Sequence, residues 1–148
     1  MGPAGAATKN PCKLVKPSQI SAIFDQPVAK GKKGISTAVS KSCDFEVELT
    51  DTKPDGSVST YLQFVGADVA FEVNREELGD LSVDVSGLGG DAFYQPTGSD
   101  GGVVWVLKGD ALLTVQGVFF SLGDTPEVDP VELQDELVAV AKIAKKKA

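Results

Sequence analysis

An α+β fold is predicted for this chain: an antiparallel sheet of five to seven strands with an N-terminal and a C-terminal helix packed on one face. Three observations predict it. Apolar residues alternate with period two through the middle of the chain, from Cys43 to Phe120. Helical spacing is clearest at the two ends, around Ile20–Phe24 and Leu133–Ala144. Strand-like runs mostly follow one another without a helical pattern between them, which favours segregated layers over a parallel sheet. At 148 residues a single domain is expected, large enough to bury roughly 68–70% of its extended surface.

Residues 1–11 are small, polar and rich in Gly and Pro, and read as a flexible tether before a domain at 12–148. Pro17 suits a first helical position, Ile20, Ile23 and Phe24 give one apolar face, and Pro27 ends it. Residues 29–41 combine Lys, Gly, Ser and Thr with few apolar side chains and read as a basic loop. Cys43, Phe45, Val47 and Leu49 then alternate with Asp44, Glu46 and Glu48, as in a half-buried strand with an acidic outer face. The turn at Lys53-Pro54-Asp55-Gly56 leads into a second strand from Ser59 to Val65. Residues 67–78 fit either class: Val69, Phe71 and Val73 alternate, yet Asp68 could cap a helix running through Leu78. Leu81, Val83 and Val85, then Phe93 and Tyr94, read as short strands, and 103–107 with 111–120 as a hairpin. At the end Asp129 is an N-cap, Pro130 the first helical residue and Glu132 completes capping-box spacing. Leu133, Leu137, Val140, Ala141 and Ala144 line one face, with acids at the start and lysines at the finish.

The two cysteines bracket the first helix. A Cys12–Cys43 bridge would fasten that region to the sheet, adding about 3–4 kcal/mol in the chain-entropy account, and would imply an oxidising compartment. Two buried free thiols are the alternative. Two isolated cysteines and no histidine cannot form a zinc site, and no cofactor is expected. Net charge is −7, with basic ends on an acidic body. That balance argues against nucleic acid. Lys30, Lys32, Lys33, Lys145, Lys146 and Lys147 are candidates for contact with an anionic membrane or wall surface. The bland account is solvation and, for the last three, complementing a helix C-terminus.

No group of residues predicts catalysis, so no enzyme is expected. Without histidine, activity would rest on a carboxylate pair such as Asp84 and Asp91. Gly87-Leu88-Gly89-Gly90-Asp91-Ala92 formally matches a dinucleotide fingerprint, but no helix follows it to hold a pyrophosphate. Asp51, Asp55 and Gly56 open like a calcium loop, yet Lys53 and Leu62 stand where oxygen ligands are needed. The candidate binding loop is therefore the glycine turn with its aromatic neighbours: Gly87, Gly89, Gly90, Asp91, Phe93 and Tyr94. Trp105 lies in an apolar run, which points to packing.

Asn10-Pro11-Cys12, Leu14-Val15, the short helix from Pro17, Ser42-Cys43-Asp44-Phe45 and the run Gly87-Leu88-Gly89 with Asp91-Ala92-Phe93 resemble, in order and spacing, the small secreted actinobacterial lipoproteins of unknown function. The sensor domains of mycobacterial serine/threonine kinases are similar in plan. Lys16, where that family usually has Thr, and the extra Gly90 depart from the pattern. The resemblance implies an exported domain anchored to a membrane through a lipoprotein signal removed from its N-terminus, and it carries no catalytic residues. The expected function is a non-enzymatic extracytoplasmic binding or sensor module. Its partner would be a protein, a cell-wall component or a small apolar molecule. The alternative is a secreted inhibitor that inserts a loop into a hydrolase active site.

Overall fold

A computed structural model describes residues 10–88, 91–121 and 126–148. Among the described residues seven strands form one open antiparallel sheet: β1 (Lys32–Ser36), β2 (Ser40–Val47), β3 (Gly56–Gln63), β4 (Val83–Asp84), β5 (Ala92–Pro96), β6 (Gly101–Lys108) and β7 (Ala111–Phe119). Their spatial order is β1-β2-β3-β7-β6-β5-β4. Three α-helices among the described residues complete an α+β fold: α1 (Pro17–Phe24), α2 (Ala67–Leu78) and α3 (Pro130–Lys147).

Alternation along the strands separates the core into two clusters. The larger joins Ile20 and Phe24 of α1 and Leu133, Leu137 and Val140 of α3 to Phe45, Val58, Val104, Leu113 and Val115 of the sheet. The smaller joins Ala67 and Phe71 of α2 to Phe93 and Leu112, strand residues of the opposite parity. Gly102 and Gly117 face each other across β6 and β7. A Cβ at Gly102 would lie 1.8 Å from the Tyr94 hydroxyl, and one at Gly117 would lie 2.9 Å from Leu137. Glycine at these two points is what lets the large side chains close the core.

Local chemistry explains how two of the helices start. The Asp129 carboxylate accepts from the backbone N–H groups of Val131 and Glu132, satisfying two donors that the first turn of α3 leaves open. At α1, Lys16 offers no capping oxygen, and the Gln19 side chain instead reaches back to the Lys16 N–H at 2.9 Å. Cys12 and Cys43 form a disulfide, consistent with an oxidising environment.

Two expectations change, and one reading left open is resolved. The basic loop at 29–41 contains β1 and the start of β2. All five β1 residues are exposed, so this edge strand has no buried side to mark it in the sequence. Thr37 closes its turn by accepting from the N–H groups of Val39 and Ser40. Residues 67–78 are helical: Phe71 is buried while Val69 and Val73 face solvent, so the apparent alternation is incidental. Asn10 and Pro11, expected in the tether, belong to the folded unit. They start a 3₁₀ turn, and the Thr60 hydroxyl donates to the buried Pro11 carbonyl. The rest of the tether lies outside the described residues.

Candidate functional site

The antiparallel register assembles a surface that no stretch of sequence displays. Ser42, Tyr61, Thr114 and Trp105 are successive cross-strand neighbours on β2, β3, β7 and β6. Their side chains emerge on the side opposite the larger core, because residues one position away point to the other face. One row further, Asp44, Ser59 and Gln116 are aligned in the same way. α2 covers only part of this face, resting on Phe93 and Leu112. The uncovered part is a cleft of about 430 Å³, with Asn74 of α2 on one wall and Ile35 of β1 on the other. That volume lies within the range of small-ligand sites.

Most polar groups around the cleft are held in place. The Ser59 hydroxyl donates to Asp44 at 2.6 Å, and the Ser42 hydroxyl oxygen accepts from the Ile35 N–H at 2.8 Å. The Gln63 and Asn74 amides donate to the backbone carbonyls of Val65 and Ala70. The Trp105 indole N–H donates to Gln95, and its ring stacks on Phe93 at 5.7 Å between centroids, 14° from parallel. Thr114 at the centre is different. It is only 9% exposed, and its hydroxyl has no hydrogen-bond partner among the described residues. A buried hydroxyl left unpaired costs about 1–3 kcal/mol.

A second constellation joins distant parts of the chain. Lys53 Nζ lies 3.2 Å from both Glu132 and Glu136 of α3 and donates to the Phe24 carbonyl at the end of α1. Burial pushes the Glu136 carboxyl up to about 7, against the attraction of Lys53 and with the help of Glu132 and Asp129. Burial alone would lower Lys53, but the two carboxylates outweigh it and hold the ammonium above its ordinary value. A carboxyl titrating near neutrality has the acidity of a proton-transfer group. The adjoining space is only about 90 Å³, too small for most ligands. The arrangement acts as a fastening between the β2–β3 turn, α1 and α3. Glu132, expected in a capping box, has its carboxylate drawn to Lys53.

The predicted loop residues are dispersed. Phe93 and Tyr94 are 0% and 3% exposed and point to opposite faces of β5, one into each core cluster. Gly87 and Asp91 are exposed, Leu88 is buried, and Gly89 and Gly90 lie outside the described residues. The segment leads into a strand, β5. Asp84 pairs with Arg75 at 3.6 Å. Among the described residues no cluster of metal-ligating side chains occurs. The six lysines fall into two groups. Lys32 of β1 lies 3.7 Å from Glu46, whereas Lys145 of α3 donates to the Leu88 carbonyl just before β5, which four strands separate from β1 in the sheet order. Comparison with known protein families, curated proteins and solved structures returned no match.

Proposed function

We propose that this chain is a non-enzymatic extracytoplasmic binding or sensor module of a cell-envelope lipoprotein. In this reading α1 and α3 back the sheet, and the opposite face, beside α2, meets the ligand. The observation that carries it is the cleft itself. A solvated antiparallel sheet face is ordinarily polar; this one also carries two aromatic residues, and its hydroxyl and amide groups are largely pre-positioned by hydrogen bonds. Oriented polar groups beside aromatic surface in a preformed concavity are what small-ligand recognition requires. The disulfide supports an oxidising location. The lysines of β1 and α3 would give the module two points of contact with an anionic membrane or wall polymer.

Backbone amide shifts of the disulfide-intact protein, followed against separated envelope glycan, protein and lipid-vesicle fractions, test this reading. Shifts centred on β2, β3 and β7 are expected. Their absence with every fraction, or product formation from any of them, would overturn it.

A further inference from the structure

We infer that a phosphate-bearing anion binds in a second, basic cleft, where Lys13, Lys33 and Lys41 are gathered around the disulfide. This goes beyond the sheet-face reading and stands whether or not the first cleft takes a ligand.

Three separate pieces of chain supply the lysines, and Cys43 is the point they share. Lys33 of β1 is the antiparallel partner of Cys43, and such facing residues lie roughly 4.5–5.5 Å apart on one side of the sheet. Lys41 is two positions along β2 and so on that same side, roughly 6.5–7 Å away. Lys13 follows Cys12, whose Cα lies 5.1 Å from that of Cys43 across the disulfide. Consecutive Cα atoms are about 3.8 Å apart, which puts Lys13 within about 9 Å of Cys43. All three long, flexible lysine stems thus start from one neighbourhood, and they border a single space of about 310 Å³. The disulfide and the bond from the Thr60 hydroxyl to the Pro11 carbonyl hold the turn that carries Lys13.

Charge selects the ligand. The chain carries a net charge of −7, yet none of the described residues lining this space is acidic. The acids of β2, Asp44 and Glu46, have the opposite parity and point to the other face, where Ser59 and Lys32 engage them. Lys13 and Lys33 are exposed, and their ammonium groups have no partner among the described residues, whereas Lys41 is half-buried and engaged within the protein. Like charges held together repel, and an anion placed between them reverses that cost. A carboxylate supplies one charge. A phosphomonoester carries about −1.5 to −2 at neutral pH and offers three acceptor oxygens, which answers three ammonium donors. Lysine binds phosphate as a point charge and does not demand the planar fit of arginine. Ser36 and Ser42 add hydroxyl donors, and Pro11 and Ile35 add apolar surface. The volume lies at the small end of ligand sites, so the phosphate enters with a short carrier.

The full-length, disulfide-intact protein would be titrated with inorganic phosphate and with glycerol 3-phosphate, at an ionic strength held constant with chloride, and followed by backbone amide shifts. Vesicles of phosphatidylglycerol, compared with phosphatidylcholine by co-sedimentation, form the second arm. Saturable shifts are expected at 10–13, 33–36 and 41–42. Lys13→Gln and Lys33→Gln should each weaken binding about threefold to fivefold, and the double variant at least about tenfold. Lys142→Gln makes the same change of net charge at an exposed lysine lying against Gly87, and should weaken binding less than about twofold. Binding of the soluble phosphates identifies a small phosphorylated ligand. Binding to phosphatidylglycerol vesicles alone, lost in the double variant, identifies a lipid headgroup. No binding in either arm, wild-type affinity in the folded double variant, or an equal loss in Lys142→Gln and Lys33→Gln would overturn the assignment. Those results would leave the sheet-face reading standing, because that reading is judged by shifts extending over β3 and β7.

Discussion

Replacing Glu136 with glutamine should change how stability depends on pH. The folded protein holds this carboxyl at about 7 against an ordinary 4.5, chiefly because burial penalises its charge. The folded state thus binds the proton more tightly than the unfolded chain. The resulting stabilisation is complete below about pH 4.5, is lost as pH rises towards 7, and is absent above that. At 1.36 kcal/mol per pKa unit the full effect is about 3 kcal/mol. The side chain is 14% exposed, so hydration removes part of this, and about 1–3 kcal/mol should be observed. Glutamine keeps the shape and can still accept from Lys53, but it does not titrate. Urea unfolding of wild type and Glu136→Gln at about pH 4.5, 6 and 8, with the disulfide intact, isolates the difference because all other titrations are shared. The stability of the variant relative to wild type should rise with pH by that amount. A constant difference, or one that falls, would refute the assignment of burial as the dominant cause.

Other consequences can be measured directly. Replacing both Cys12 and Cys43 with alanine opens a link across 31 positions and should cost about 3–4 kcal/mol in urea unfolding. Intact mass should show no alkylation of the native protein without reductant. Asp129→Ala removes the acceptor for two N–H groups at the start of α3 and should cost about 1 kcal/mol, read as a lower denaturant midpoint at unchanged slope.

Legibility in the sequence followed how local the determining interaction is. α3 was readable because its cap, its apolar face and its terminal charges all lie within the helix itself. The hairpin of β6 and β7 was readable because alternation and turn chemistry are short-range signals. β1 was not, because an edge strand exposed on both sides has no amphipathic pattern. In 67–78 two periodicities coexist, and only the docking of Phe71 against Phe93 decides between them. The candidate site was hidden for a different reason. Ser42, Tyr61, Thr114 and Trp105 become neighbours only through the pairing of four strands, and the β3–β7 pairing spans a long connection. A trace existed in the outward positions of β3, where Ser57, Ser59, Tyr61 and Gln63 replace the charged residues found on β2. Lys53 and Glu136, 83 positions apart, left no such trace.

The position of the disulfide decides how tension would travel through this molecule. A pull on the chain ahead of Cys12 reaches Cys43 across the sulfur bridge, so the 31-position segment between them, with α1 and β1, is bypassed. The load enters β2, a strand paired on both sides, by β1 and β3. To move Cys43, a force at the N-terminus must shear a ladder of eight paired positions between β2 and β3 together, whereas α1 attached by its own end could be peeled away turn by turn.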